Sequence, residues 1–209
     1  MYQPDHFKEV RLEVLHELIT AHPFGLLIST GADGIEANGL PFFIDRKAVP
    51  LGALRVHMAR ANDQWKNLSG QNVLVVFQGP HTYISPSLYP SKIETGKVVP
   101  TWNYVMVQAR GVARVNHDST WLGEQVETLT KKHEARQPTP WAVHDAPKPY
   151  IASQLRGIVG IEIQIQSLEG KWKVSQNRPI KDRRGVAEGL ANENSEMSAL
   201  VSAYGEAER

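Results

Sequence analysis

The sequence contains no cysteine, although it is 209 residues long. This absence excludes disulfide bonds, thiolate metal ligands, cysteine nucleophiles and a flavin tethered through a cysteinyl sulfur. Long apolar runs are missing too, since the densest one, residues 73–77, is far shorter than the roughly 20 residues of a membrane helix. The first residues lack a basic start followed by an apolar run, so we expect a soluble, cytoplasmic protein.

An excess of charge of one sign is also absent. The 23 Lys and Arg residues stand against 22 Asp and Glu residues, which leaves a formal net charge of +1. A protein that binds nucleic acid or an acidic membrane through electrostatics alone needs a concentrated basic face. The composition therefore argues against that class of protein and leaves only a local basic patch open.

Several well-known sequence motifs are missing as well. There is no G-x-S-x-G nucleophile elbow, no Walker loop and no G-x-G-x-x-G dinucleotide fingerprint. His133 and Glu134 begin like a zinc-protease helix, but Gln137 stands where the second histidine ligand belongs. We therefore predict neither a metal site nor a Rossmann fold.

Hydrophobic periodicity predicts about six or seven short strands, with helices at the start, middle and end of the chain. The strands follow one another without regular helical crossovers, which favours an α+β fold built round an antiparallel β-barrel with peripheral helices. We interpret residues 1–209 as a single domain with a C-terminal helical segment at about 181–209. The predicted helices are residues 5–21, 62–68, 118–137 and 185–204, and the predicted strands are residues 24–30, 35–45, 54–58, 73–77, 104–115, 161–165 and the segment after Gly170.

Two long segments are rich in proline. Residues 78–102 contain four prolines together with two tyrosines and one histidine, so we predict a long irregular loop with a functional role. Residues 139–149 are predicted to be an irregular connector.

Pro41 lies inside a strand pattern, which predicts a bulge or an edge strand there. Gly170 is predicted to form a turn between two strands.

The most informative local pattern is the predicted strand-to-helix junction at residues 55–66. It brings Arg55, His57, Arg60 and Lys66 together with amide side chains at the start of a helix, an arrangement that suits a phosphate group. The alternative is an ordinary junction with solvated charges.

Two further clusters are candidates for ligand binding. Aromatic, hydroxyl and amide side chains at residues 81–86 and 99–104 would wall a pocket for a planar ligand, or would anchor a long loop. Residues 175–178 end in Arg178, which would reach an anion or bridge to a carboxylate.

Read together, these places resemble the PaiB family of FMN-binding negative transcriptional regulators, which have the FMN-binding split-barrel fold. The resemblance spans nearly the whole chain, and the order and spacing of its motifs are specific. One departure is Asp63, where the family usually has proline, and its negative charge near Arg60 disfavours a phosphate. The matching motifs are residues 1–7, 22–25, 40–42, 57–62, 79–86, 99–104 and 175–178.

The resemblance implies a homodimer that binds FMN in grooves between two subunits. It assigns the phosphate to the junction and the isoalloxazine to residues 28–30 and 40–42, with residues of the partner subunit closing the groove. No catalytic residue is identified. The cofactor-binding residues implied in this way are Arg60, Asn62, Gln64 and Lys66 for the phosphate, His57 of the same junction, Ser29 and Thr30 for the ring, and Trp102 and Asn103 from the partner.

The resemblance leaves three functions open. A regulator follows from the family, although residues 181–209 hold four Lys or Arg and six Asp or Glu, a net of −2 that does not support direct DNA binding. An FMN-dependent oxidoreductase similar to flavin reductases or pyridoxamine phosphate oxidases is the alternative, with His57, His81 and Tyr83 as the acid–base candidates. Haem binding or degradation is less favoured. If the protein is a regulator, it would act through residues 92–97, through the basic cluster at 181–184 or through a protein partner.

Overall fold

The structure is a computed structural model and describes residues 1–206, which contain eight β-strands and six α-helices. The strands are β1 (Lys8–Glu9), β2 (Phe24–Gly31), β3 (Gly34–Pro41), β4 (Phe43–Asp45), β5 (Ala53–Ala59), β6 (Asn72–Ile84), β7 (Thr101–Asn116) and β8 (Ile158–Lys173). The α-helices are α1 (Leu12–Ala21), α2 (Ser91–Thr95), α3 (Ser119–Glu134), α4 (Lys148–Arg156), α5 (Ile180–Leu190) and α6 (Ser195–Glu206). Short 3-10 helices occupy Asp5–Phe7, Asp63–Asn67, Pro86–Leu88 and Val143–Asp145.

All eight strands belong to one sheet with the order β3-β2-β6-β7-β8-β5-β4, and β1 pairs with β8. The pairs β1–β8, β2–β3, β2–β6, β4–β5 and β5–β8 are antiparallel. The predicted α+β fold with an antiparallel sheet and surrounding helices is therefore confirmed.

The chain divides into two compact units. The first comprises Met1–Leu18, Gln78–Val107 and Glu169–Arg209, and the second comprises Ile19–Phe77 and Gln108–Leu168. The interpretation of the whole chain as a single domain stays a prediction.

In the second unit, the strands predicted at residues 24–30 and 35–45 begin as β2 and β3, which form a hairpin. Their register ends with Gly31 opposite Gly34, and Gly34 has a φ of 115°, a left-handed conformation that favours glycine. The strand pattern breaks after Pro41, because proline has no N–H for a continuing ladder. Phe42 instead donates its backbone N–H to the carbonyl of Pro23 over 2.8 Å, and β4 pairs with β5. Strand β3, which contains Pro41, lies at the edge of the sheet, so the predicted edge strand is confirmed, whereas the single strand predicted over residues 35–45 is divided into β3 and β4.

The strand predicted over residues 54–58 is confirmed as β5, and its side chains alternate between two faces. Leu54, Val56 and Met58 are buried in the core, whereas Arg55 and His57 lie on the opposite face of the strand. Helix α3 packs on β5, and it begins where the Asp118 carboxylate accepts a hydrogen bond from the backbone N–H of Trp121 over 2.8 Å.

The prediction of one helix over residues 5–21 is wrong in its first half. A 3-10 turn and strand β1 precede α1, and Lys8 and Glu9 pair with Lys171 and Gly170 of β8. Backbone pairing with β8 thus overrides the helical spacing of the apolar residues. The Glu9 side chain is buried, whereas the predicted amphipathic helix would have placed it in solvent.

The turn predicted at Gly170 is wrong as well, because β8 runs through it without interruption. A Cβ at this position would lie 2.1 Å from Cδ2 of Leu15 and 3.1 Å from the carbonyl oxygen of Glu9. Gly170 therefore provides room for α1 and β1 against the strand, which is a packing role that the sequence pattern does not distinguish from a turn.

The two proline-rich segments contain more regular structure than predicted. Strand β6 continues to Ile84 and β7 begins at Thr101, so the segment between them is shorter and includes the 3-10 helix Pro86–Leu88 and helix α2. The connector at residues 139–149 contains a 3-10 helix and the start of α4, because proline is well tolerated in the first turn of a helix.

Within the described part of the predicted C-terminal segment, the structure contains two helices, α5 and α6, rather than one. Residues 207–209 of the predicted segment lie outside the described residues.

Candidate functional site

The strand-to-helix junction forms as predicted after β5, with a 3-10 helix in place of an α-helix. Asn62 precedes this helix, and its side-chain oxygen accepts the backbone N–H of Gln64 over 3.1 Å. A short acceptor side chain at this position satisfies one of the N–H groups that the helix leaves without a partner. The role of Asn62 in the structure is thus to begin the turn.

Gln64 is the centre of a buried hydrogen-bond network and is only 3% exposed. Its Nε2 donates to the hydroxyl of Ser29 over 2.9 Å, and its Oε1 accepts from Nδ2 of Asn38 over 2.9 Å. The structure thus brings Gln64, Ser29 and Asn62 together, and the amide of Gln64 fastens the junction to the β2–β3 hairpin. The backbone carbonyl of Thr30, next to Ser29, accepts from Nε2 of Gln71 over 3.0 Å.

The Arg60 side chain contacts a different set of elements. Its Nε donates to the carbonyl of Arg156 and its Nη2 to the carbonyl of Ile158, both over 2.9 Å. Its Nη1 lies 3.4 Å from Nδ1 of His117. The guanidinium therefore joins the junction to the end of α4 and the start of β8.

Lys66 has an exposed side chain, and so does its ionic partner. Its Nζ lies 2.7 Å from Oδ1 of Asp63, three residues earlier on the same short helix. An exposed pair of this kind contributes little to stability, so the ammonium group can exchange its partner for another anion. The added carboxylate of Asp63 contacts Lys66 rather than Arg60.

His57 and Arg55 are occupied by neighbours on the outer face of β5. Nδ1 of His57 lies 2.7 Å from Oε1 of Gln125 on α3, and Arg55 bonds Glu162 over 2.8 Å and Asp45 over 3.3 Å. Gln125 is 4% exposed, and its Nε2 has no hydrogen-bond partner within residues 1–206. Sequence reasoning missed Gln125, because a glutamine in a predicted amphipathic helix carries no signal of its own.

The outer face of the hairpin is exposed and apolar. Phe24, Leu26 and Ile35 are 70%, 41% and 82% exposed, and strand register places Leu26 opposite Val76 of β6. Successive residues of a strand alternate between its faces. We call this surface the hairpin face, and its members are Phe24, Leu26, Ile28 and Thr30 of β2, Ile35 and Ala37 of β3, and Leu74 and Val76 of β6.

Sequence reasoning located only part of this face. Within the predicted ring-binding residues 28–30 and 40–42, Ile28 and Thr30 lie on the hairpin face, whereas Ser29, Leu40 and Phe42 are buried. The exposed Phe24 and Ile35 were missed, because alternation of apolar residues does not show which of two apolar faces is covered.

In the first unit, three aromatic rings form a surface cluster on β6 and β7. The rings of His81 and Trp102 are stacked with centroids 6.3 Å apart, and the ring of Tyr83 contacts Trp102 edge-on at 6.2 Å. Asn103 is 1% exposed and donates to the hydroxyl of Ser175 over 2.9 Å. Of the two residues predicted to close the cofactor groove, Trp102 is therefore at the surface and Asn103 is in the interior.

Arg178 lies over an aromatic ring, with its guanidinium carbon 4.8 Å from the centroid of Tyr89. Burial raises the pKa of the Tyr89 hydroxyl, and the charge of Arg178 opposes that rise.

The basic cluster at 181–184 does not form a continuous surface, because Lys181 pairs with Glu94 and Arg183 is buried.

Within residues 1–206, no group of His, Asp or Glu side chains is arranged to hold a metal ion. In the same part of the chain, the helices are too short or too polar to cross a membrane.

The antiparallel sheet with its helices has the fold of the split-barrel class, which solved structures share. A solved FAD- and haem-binding protein from Mycobacterium smegmatis shares the fold with a TM-score of 0.58 at 13% identity, over 79% of this chain and 73% of that one. A family model described as "Putative FMN-binding domain" matches residues 1–167. These comparisons confirm the predicted fold class.

Two relatives match nearly the whole chain. The protease synthase and sporulation protein PAI 2 of Bacillus subtilis is 32% identical over 92% of this chain and 90% of its own. An uncharacterized protein of Emericella nidulans is 34% identical over 97% of this chain and 95% of its own. The chain therefore belongs to the PaiB family of FMN-binding proteins, and the predicted cofactor is confirmed at the level of the family.

Proposed function

We propose that the protein is a cytoplasmic homodimer that binds FMN between the hairpin faces of two copies and acts as a negative transcriptional regulator. The observation that carries the proposal is the exposure of the hairpin face, which leaves Phe24, Leu26 and Ile35 in water in a single copy. An apolar face of this kind is typical of a binding site or an interface. FMN, when bound, supplies redox chemistry that the side chains alone lack.

The residues present fit this cofactor. An isoalloxazine ring is flat and largely apolar, and the hairpin face offers it uncharged side chains such as Leu26, Ile28 and Thr30. The FMN phosphate requires a cation with free hydrogen-bond donors, and Lys66 provides one because its ionic partner Asp63 is exposed and exchangeable. We assign phosphate binding to Lys66.

The other predicted residues of the junction then have positioning roles. Gln64 and Asn62 hold the 3-10 helix in place against the hairpin, and Arg60 fastens the start of the junction to β8. His57 is held by Gln125. Trp102 is 49% exposed in the single chain, and we propose that Trp102 of the partner subunit covers the flavin.

FMN retention tests the phosphate assignment. Purified protein is loaded with FMN and desalted, and the dissociation constant is measured from flavin absorption and fluorescence. Lys66→Gln should raise this constant about tenfold, which corresponds to the loss of one charge-assisted contact of about 1.4 kcal/mol. The control is Lys47→Gln, which removes another exposed lysine. Equal FMN affinity of the wild type and Lys66→Gln would refute the assignment.

The regulatory proposal is tested by retention of DNA from the promoter region of the protein's own gene. Besides Lys181, which pairs with Glu94, the exposed cations of the candidate segments are Lys92, Lys97 and Arg184. Binding through these three cations should weaken as the salt concentration rises. Neutralising all three should flatten the plot of log binding constant against log salt concentration by the equivalent of about three phosphate contacts. Absence of retention at low salt would exclude direct DNA contact.

An FMN-dependent oxidoreductase is the second candidate, and the surface cluster of His81, Tyr83 and Trp102 favours it. Three exposed rings offer a stacking surface to a planar substrate such as a nicotinamide. The FMN-loaded protein should then oxidise reduced nicotinamide, and Trp102→Ala should lower the rate at least fivefold, about 1 kcal/mol. Trp141→Ala removes another half-exposed tryptophan and serves as the control. No oxidation by the loaded protein would exclude this candidate.

A further inference from the structure

A cavity of about 480 Å³ lies in the second unit, where the junction meets α3 and α4. Its polar lining comes from Arg60 after β5, His117 after β7, Ser119 and Thr120 in the first turn of α3, and Arg156 in the last turn of α4. Volumes of 300–1,000 Å³ are typical of sites for small organic ligands. Apart from Arg60, none of these side chains belongs to the site proposed for FMN.

The lining is positive. It contains two guanidinium groups and an imidazole but no carboxylate. Within residues 1–206, neither Arg60 nor Arg156 forms an ion pair with Asp or Glu. Guanidinium groups present several N–H donors in a planar fork that matches oxyanions. The chemistry of the lining therefore selects an anion.

Two of the lining groups, the guanidinium of Arg60 and the imidazole of His117, are held in position before any ligand arrives. Two hydrogen bonds of 2.9 Å from the Arg60 guanidinium to the carbonyls of Arg156 and Ile158 fix that side chain. His117 lies between Nη1 of Arg60 and the ring of Trp65, which contacts the imidazole edge-on at 5.4 Å. A site whose groups are already fixed loses less entropy on binding.

The remaining wall of the cavity is apolar, which indicates that part of the ligand is apolar too. Leu122, Ala152 and Leu155 line the cavity beside the charged groups. A free inorganic ion would leave this wall and most of the volume unused. A ligand that fits has an oxyanion at one end and a small apolar body at the other.

We infer that this cavity binds an organic phosphate that is distinct from the FMN held at the hairpin face. The hydroxyls of Ser119 and Thr120, the imidazole of His117 and the guanidinium of Arg156 line it from three elements, and a phosphoryl group offers three oxygens to such a set. The contacts of Arg60 are with α4, β8 and His117, whereas Gln64 contacts β2 and β3. Different side chains of the junction therefore contact the cavity and the hairpin.

The test uses the full chain loaded with FMN and phenyl phosphate as the probe. The probe is titrated while the imidazole signal of His117 is followed by NMR, with inorganic phosphate titrated in parallel. We expect a saturable shift, and tighter binding of phenyl phosphate than of inorganic phosphate. Arg156→Gln should weaken binding of the probe about tenfold. Arg136→Gln, beyond the opposite end of α3, is the control and should not change it.

Three results would overturn the inference. The first is the absence of a saturable shift in wild-type protein that is folded by circular dichroism. The second is equal affinity for phenyl phosphate and inorganic phosphate, which would show that the apolar wall does not contribute. The third is one-for-one displacement of the probe by FMN when the titration is made on protein without bound flavin, which would assign the cavity to the cofactor phosphate and leave FMN binding itself intact. Failure of FMN to bind would refute only the proposed function, because the probe can be titrated without it.

Discussion

The Tyr204 hydroxyl donates a hydrogen bond to the buried carboxylate of Glu9, and this contact joins helix α6 to strand β1. Arg11 binds the same carboxylate through Nε over 2.9 Å and Nη2 over 2.6 Å, and its Nη2 also lies 3.0 Å from the hydroxyl of Tyr204. The three side chains thus form one network that connects residues near the two ends of the chain. A buried carboxylate is stable only when its oxygens are bonded in this way.

The network predicts a stability that depends on pH. Burial alone would raise the pKa of Glu9, but hydrogen bonds from the Arg11 and Tyr204 side chains outweigh it and lower the pKa from 4.5 to about 2. Since the folded-state pKa is depressed, the stabilisation is complete above pH 4.5 and is lost as the pH falls toward 2. The shift corresponds to about 3 kcal/mol.

Urea denaturation of the wild type and Glu9→Gln at several pH values measures this contribution. The difference in free energy of unfolding should be about 3 kcal/mol at pH 7 and should shrink between pH 4.5 and pH 3. Glu13→Gln, in the first turn of α1, is the control, and its difference should stay small throughout. A difference for Glu9→Gln that does not change with pH would contradict the role of ionisation.

The pairing of β1 also explains why the helix predicted over residues 5–21 is wrong in its first half. The apolar spacing from Phe7 to Ile19 fits a helix, but Glu9 is paired with Gly170, 161 positions further along the chain. Neither partner of such a long-range pair carries a local signal. Strands with alternating burial, such as β5, and helices with a side-chain cap, such as α3 after Asp118, were predictable because their signals are local.

Gly111 and Gly123 should respond in opposite ways to alanine. A Cβ at Gly111 would lie 2.0 Å from the carbonyl oxygen of Gln164, a backbone atom that cannot move aside, whereas a Cβ at Gly123 in α3 would meet nothing within 4 Å. We expect Gly111→Ala to lower the free energy of unfolding by about 2–3 kcal/mol and Gly123→Ala to raise it by about 0.5–1 kcal/mol. Thermal and urea denaturation measure both, and a harmless Gly111→Ala would contradict the close approach of β7 and β8.

Gln64 should contribute to stability as the link between the junction and the hairpin. Gln64→Leu keeps most of the buried volume but leaves the donor of Asn38 and the hydroxyl of Ser29 without this partner. Removing one side of buried hydrogen bonds should cost about 2 kcal/mol in the free energy of unfolding. Gln154→Leu, exposed on α4, is the matched control and should change it by less than about 0.5 kcal/mol. Equal stability of the two variants would show that the network does not hold the junction.

The candidate site was thus predictable in location but only partly in the role of each residue. The sequence placed Arg60, Gln64 and Lys66 in one junction, because they are neighbours along the chain. It did not show that Gln64 is buried and that Arg60 bonds the carbonyl groups of Arg156 and Ile158, since those partners lie far away in the sequence. Chain proximity predicts which residues meet, but the direction of a side chain depends on packing.

The exposed hairpin face gives the last prediction, which concerns assembly. Leu26 and Ile35 are 41% and 82% exposed in a single chain, so a charge at either position should not disturb the folded subunit. In the proposed homodimer the same positions lie in an apolar interface, where an unpaired carboxylate costs several kcal/mol.

Leu26→Asp and Ile35→Asp should therefore shift sedimentation equilibrium from dimer toward monomer by at least about a hundredfold in the dissociation constant, close to 3 kcal/mol. FMN retention should fall in parallel, because the proposed groove needs two copies. Ile93→Asp, at a position that is 93% exposed in the first unit, is the control and should leave both measurements unchanged. A wild-type protein that stays monomeric yet retains FMN would disprove the shared groove and place the cofactor within one chain.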